Sequence, residues 1–135
     1  MSFTGNYTCN SFKSGLIDGD FDFDTDTIKI ALYTNSATLN ADTSAYTTTG
    51  EVSASGYTAG GNTLTVSKGI TGGTSFITFT DTSWSSALTA RGALIYKDGG
   101  GAICVLDFGS DKTSTTTFTV DFPAASSTDA LIRLS

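Results

Sequence analysis

Arg91-Gly-Ala-Leu-Ile-Tyr-Lys97 and Ala102-Ile-Cys-Val-Leu-Asp-Phe108, joined by Asp98-Gly-Gly-Gly101, decide how this chain folds. Each run is too short for a stable isolated helix and carries the β-branched and aromatic residues of a strand. The Asp-Gly-Gly-Gly link supplies the left-handed backbone that a hairpin connection needs. Both runs are apolar at odd and even positions alike. They therefore read as central strands, covered on both faces of a sheet.

Outward from this hairpin the same signals recur. Gly109-Ser-Asp-Lys-Thr113 reads as a turn into Thr116–Phe122, with Phe118, Val120 and Phe122 on one face and Pro123 stopping the strand. Ala130–Ser135 is expected to pair with a neighbour, because an unpaired terminal strand frays. Upstream, Phe21–Tyr33 alternates over most of its length, with Ile28, Ile30 and Leu32 facing one way and Lys29, Ala31 and Tyr33 the other. Asn62–Lys68, with Leu64 and Val66 inward, and Ser75–Thr80 are bounded by the turns Gly60-Gly61 and Gly72-Gly73. Trp84 leads into the next strand. Residues 34–62 hold few long apolar side chains and read as a long connection fastened by Tyr46, Val52 and Tyr57. The one place for a helix is the 1–20 segment, where Phe12, Leu16 and Ile17 share a face, Asn10 or Ser11 caps the start and Gly19 ends it. The expectation is mainly β: one antiparallel β-sandwich or barrel-like domain over residues 1–135, with a short N-terminal helix.

Composition agrees and excludes several functions. The 135 residues are only 15% charged, against about 25% in ordinary domains. Ser and Thr fill the gap. A net charge of −6 and basic residues scattered from Lys13 to Arg133 leave no stripe for nucleic acid, so none is expected as a partner. The longest apolar runs, such as Ala93–Tyr96, are too short to span a bilayer, and no membrane association is expected. The first residues lack the basic start and apolar run of a secretion signal, so the chain is expected to begin where its gene does. Cys9 and Cys104, with no histidine in the chain, form no zinc motif and read as free, buried thiols rather than a disulfide.

Asp18, Asp20, Asp22, Asp24 and Asp26 form the most unusual local pattern. At period two, five carboxylates would share one strand face, and such a ladder makes them candidate cation ligands. The spacing fails the EF-hand loop, since Phe23 stands where Gly is required and Lys29 where the closing Glu belongs. A solvated acidic edge with Phe21 and Phe23 turned inward explains the pattern better, and no metal or other cofactor is expected. Without histidine there is no conventional triad or imidazole base. Asp42-Thr-Ser44 and Asp81-Thr-Ser83 echo the paired Asp-Thr-Ser/Gly element of aspartic proteases, but they are ordinary turns in a Thr-rich chain. Glu51 is the only Glu, so no two-carboxylate glycosidase pair is indicated. Gly56–Gly61 lacks the Gly-Lys-Ser/Thr ending of a phosphate loop and reads as a structural turn. Trp84, Tyr33, Tyr46, Tyr57 and Tyr96 read as core and sheet-face residues before a carbohydrate platform. Non-enzymatic function is the expectation.

Asn10-Ser-Phe-Lys-Ser-Gly-Leu-Ile17, Asp24–Tyr33, Glu51-Val-Ser-Ala-Ser-Gly-Tyr-Thr-Ala-Gly-Gly61, Trp84, Arg91–Tyr96 and Leu106-Asp-Phe-Gly109 occur in an order that resembles a family of small structural proteins of tailed bacteriophages. The resemblance spans nearly the whole chain and is most specific over Glu51–Gly61. It implies a virion protein made in the host cytoplasm, a head decoration or cement protein on the outer face of the capsid. Its partners would be the major capsid protein and copies of itself, a trimer included. The alternative is a tail or fibre accessory protein that binds a host-surface glycan or protein. The resemblance carries no catalytic motif. The segments expected to meet a partner are the 34–62 connection and the N-terminus, with Phe3, Tyr7, Tyr46 and Tyr57 as contact residues.

Overall fold

The computed structural model describes residue 3 and residues 5–134. Its chain order is β1 (Tyr7–Thr8), α1 (Asn10–Asp18), β2 (Ile28–Tyr33), β3 (Asn62–Thr63), β4 (Val66–Thr71), β5 (Thr74–Phe79), β6 (Thr82–Trp84), β7 (Thr89–Lys97), β8 (Ala102–Thr113), β9 (Phe118–Val120) and β10 (Ile132–Leu134). These strands form a five-stranded sheet in the order β1-β8-β7-β2-β3, a three-stranded sheet β10-β5-β4 and a ribbon β6-β9. Every pairing is antiparallel. The protein is mainly β with one short helix, and its packing is sandwich-like.

The β7–β8 hairpin lies at the centre of the large sheet and is covered on both faces, as its two-sided apolar pattern requires. On one face Ile28, Ile30, Leu32, Ala93, Ile95 and Ile103 pack with Phe79 and Ile132 of the small sheet and with Trp84, Phe118 and Val120 of the ribbon. On the other face Ala31, Tyr33, Leu94, Tyr96 and Val105 are covered by irregular chain, from Phe3 and Cys9 and from Ala37, Leu39 and Tyr46. The second layer is thus built from the N-terminus and the long connection.

Several boundaries differ from the sequence reading. The acidic stretch is not a strand: β2 begins only at Ile28, and residues 20–27 form turns. Asp22 Oδ1 accepts the Asp24 N–H and Asp26 Oδ2 accepts the Asp22 N–H, so these two carboxylates bond nearby backbone instead of lining a strand face, while Asp18 ends α1. Gly109–Thr113 is no turn either. β8 runs on to Thr113 opposite Thr89, with Gly109 at φ +85° marking an irregularity in the ladder. Asn62–Lys68 splits into β3 and β4, because β3 pairs with β2 while β4 turns to β5. The strand read over Thr116–Phe122 narrows to β9. β10 pairs with β5 as a closing strand should, and Ser135 of the expected Ala130–Ser135 strand lies outside the described residues. So do Met1, Ser2 and Thr4 of the 1–20 segment, whose helix begins at Asn10 after Cys9 and ends at Gly19 in the left-handed conformation. Phe12 is buried on that helix, but Ile17 is 89% exposed, one position off the inward face.

Gly61 shows how tightly the connection is laid on the sheet. At φ +78°, a Cβ there would stand 1.7 Å from the Ile30 carbonyl oxygen. Gly72 also has positive φ, but a Cβ there would meet nothing within 4 Å. Gly61→Ala is therefore expected to cost at least about 2 kcal/mol in urea unfolding, and Gly72→Ala only about 1 kcal/mol. Equal losses would contradict this packing.

Candidate functional site

The connection is held by one carboxylate. Glu51 Oε1 accepts the Tyr46 hydroxyl at 2.5 Å, and Oε2 accepts the Tyr57 hydroxyl at 2.6 Å and the Gly60 N–H at 2.8 Å. Tyr57 Oη in turn accepts the Leu32 N–H at 2.9 Å. Tyr96 donates to the Gly60 carbonyl at 2.7 Å and stacks on Tyr46 with ring centroids 4.9 Å apart. Tyr33 donates to the Thr47 carbonyl at 2.6 Å. Backbone bonds complete the cover: Thr34 N–H to Gly50 O, Val52 N–H to Leu32 O and Leu64 N–H to Ile28 O. The 50–64 stretch therefore satisfies the edge of β2 in place of a long strand.

This arrangement sets the tyrosine acidities. Burial comes first in raising Tyr33, Tyr46 and Tyr57 above the ordinary phenol value, and the Glu51 carboxylate adds to each. Burial pushes Tyr96 up to about 12. The thiols follow the same rule: burial pushes Cys9 up to about 11 and raises Cys104 as well. Both cysteines are free and buried, in the two different halves of the core.

The five aspartates do not converge. Asp24 pairs with Lys68 at 3.0 Å, and Asp26 with Lys97 at 3.3 Å. Asp22 is held below the usual carboxylate range, chiefly by the Asp24 N–H. Lys97 also donates to the Asp20 carbonyl at 2.6 Å, so two lysines fasten the acidic turns to the sheets. Phe21 and Phe23 pack edge-on against Phe12, at 5.1 and 5.9 Å. Among the described residues, no group of three or more His, Cys, Asp or Glu side chains is placed to hold a metal ion.

The residues proposed to meet a partner are placed differently from that expectation. Phe3 is 2% exposed, against Gly92 and under the Arg91 guanidinium at 5.5 Å, and Arg91 is paired with Asp107. Tyr57 is buried and bonded to Glu51. Both are core residues, since a large aromatic ring in a mostly small, polar segment is a strong anchor for it. Tyr7, in β1, and Tyr46 are half-buried. Asp42 accepts from Asn10, whereas Asp81 accepts the Phe122 N–H. Each aspartate ties its own segment to one distant in the chain, and the two have different partners. Trp84 is buried between Tyr57 and Phe118, at 5.9 and 6.3 Å, and its Nε1 has no hydrogen-bond partner among the described residues. An open hollow of about 460 Å³ lies between the end of β8 and β9, and its titratable side chains are Lys112 and Asp121.

Sequence reasoning missed the role of Glu51. Its signal was present, as the only Glu among many Asp residues, with tyrosines five residues before and six after. The longer Glu side chain reaches both hydroxyls. Comparison with family models, curated proteins and solved structures finds no match to this chain.

A pH profile checks the tyrosine cluster. Folded-state values above the unfolded ones mean that the stabilisation is complete below the unfolded pKa and is lost as pH rises. Stability in urea is expected to be level near neutrality and to decline above about pH 9 as thiols ionise in the unfolded chain. Above about pH 10 each buried phenol among Tyr33, Tyr57 and Tyr96 should steepen the decline by up to about 1.4 kcal/mol per pH unit. Phenolate absorbance should rise together with unfolding. Free titration of Tyr33, Tyr57 and Tyr96 in the folded protein near pH 10 would contradict the arrangement.

Proposed function

We propose that this chain is a non-enzymatic virion structural protein of a tailed bacteriophage. In this reading it decorates the outer face of the head by binding the major capsid protein. The observation that carries it concerns Glu51–Gly61, the stretch with the most specific resemblance. Its carboxylate, its tyrosine and its glycines are all engaged in fixing the connection to the large sheet. A signature devoted to holding a fold suits a shell module better than a reacting centre.

The cover formed by residues 34–50 supplies the surface. Asp42 is its only charged residue, and its exposed positions are mostly hydroxyl and amide side chains. Such a surface makes hydrogen bonds to a neighbour without burying charge. Repetition over a symmetric shell raises its effective affinity. A tail or fibre role would place aromatic rings toward solvent for a host glycan. Tyr33, Tyr57, Tyr96 and Trp84 are all buried, which favours the head.

The copy number in purified particles, measured by quantitative mass spectrometry against the major capsid protein, tests the assignment. A simple fraction of the shell, such as one to one, is expected. A handful of copies would favour the tail, and absence from particles would overturn the virion reading.

A further inference from the structure

The flanks of the large sheet's inner strands are covered over much of their length. The 50–64 stretch covers β2, and β1 lies along β8, where Asn6 also accepts the Asp107 N–H at 2.6 Å. The small sheet is different. β4 is its outer strand and six residues long, whereas its other edge, β10, has only three. The Thr80 N–H bonds the Thr65 carbonyl, which fixes the alternation: odd-numbered residues of β4 bond to β5. Val66, Lys68 and Ile70 therefore turn their N–H and C=O groups outward. Among the described residues no strand or loop receives them.

The side chains on this sheet are equally unfinished. Leu134 stands opposite Ser75, and Ser75 opposite Ile70, so the three form one row on one face. Ile70 is 69% and Leu134 53% exposed. The chain carries −6 overall, yet β4, β5 and β10 contain no acid, only Lys68 and Arg133. Lys68 is neutralised by Asp24 at 3.0 Å, so it does not guard the edge as a free cation would.

We propose that β4 is a self-association edge, on which a second copy of this chain pairs antiparallel, β4 to β4, about a twofold axis near Gly69. The partner is chosen by charge. Two chains of −6 repel over most of their surface, whereas the strands of this sheet carry no acid and the one carboxylate described beside β4, Asp24, is paired with Lys68, so the two copies meet with little opposing charge. An antiparallel edge is complementary to itself and closes as a dimer. Pairing about Gly69 places Lys68 beside the partner's Ile70, not beside the other Lys68, and extends the three-stranded sheet to six strands. The inference goes beyond the virion assignment: it is read on the isolated chain, while that assignment is read on particles.

Sedimentation equilibrium of the full chain tests it. A monomer–dimer equilibrium that tightens with added salt is expected, because salt screens the residual repulsion. Ile70→Pro removes an outward N–H from each copy without touching the β4–β5 ladder, and should weaken the dimer about 30-fold. Ile70→Asp, which leaves the backbone intact, should weaken it in the same direction if the proline variant fails to fold. Near-UV circular dichroism reports the fold of each variant. A wild-type chain that stays monomeric up to about 1 mM overturns the proposal. So does a trimer, or a dimer that folded Ile70→Asp leaves unchanged.

Discussion

The Glu51 carboxylate is the constraint on which the rest of the molecule depends. A half-buried charge is tolerated only when its oxygens are satisfied, and here two phenols and one backbone N–H supply the bonds. The donors come from both sides of Glu51 in the long connection. One small group thus converts a stretch poor in apolar residues into an ordered layer. That layer lets β2, β7 and β8 be apolar on both faces, because it supplies the second cover that helices provide in parallel-sheet proteins.

Edge management follows the same logic. A sheet edge left open invites another chain, and this protein closes its main edges with irregular segments held by side chains. The Tyr57 hydroxyl accepts the Leu32 N–H where a strand would have offered a carbonyl. Asn6 does the corresponding work on β8, while Phe3 locks the N-terminus under Arg91. Against this pattern the bare flank of β4 stands out. That contrast is the ground for the proposed self-association.

The sequence made the strands legible where the signal was local. The alternation at Ile28–Tyr33 and the two-sided apolar runs of β7 and β8 identified the central sheet. Gly60-Gly61 and Gly72-Gly73 marked true turns, and Phe21 and Phe23 do turn inward. Tertiary choices were not legible. Asp at period two imitates a strand, but Asp side chains bond nearby N–H groups, and that local competition produced turns at residues 20–27. Gly109 imitates a turn, although it is an irregularity inside β8. Phe3 and Tyr57 look like spare aromatics for a partner because their pockets, beside Gly92 and below Leu32, are made by residues distant in the chain. The lone Glu51 flanked by Tyr46 and Tyr57 was a local hint, but the folded path of the connection decides that its carboxylate gathers both hydroxyls and the Gly60 N–H.

Native-state hydrogen exchange tests the central claim most directly, through the amides of Leu32, Val52 and Gly60. If the Glu51 network makes the connection part of the folded core, these amides exchange only through global unfolding, at the same free energy as Ile95 and Val105 in the central hairpin. Exchange of Val52 and Gly60 through a local opening several-fold easier than unfolding would mean that the connection is a loose loop, and the account of the fold given by Glu51 would fail.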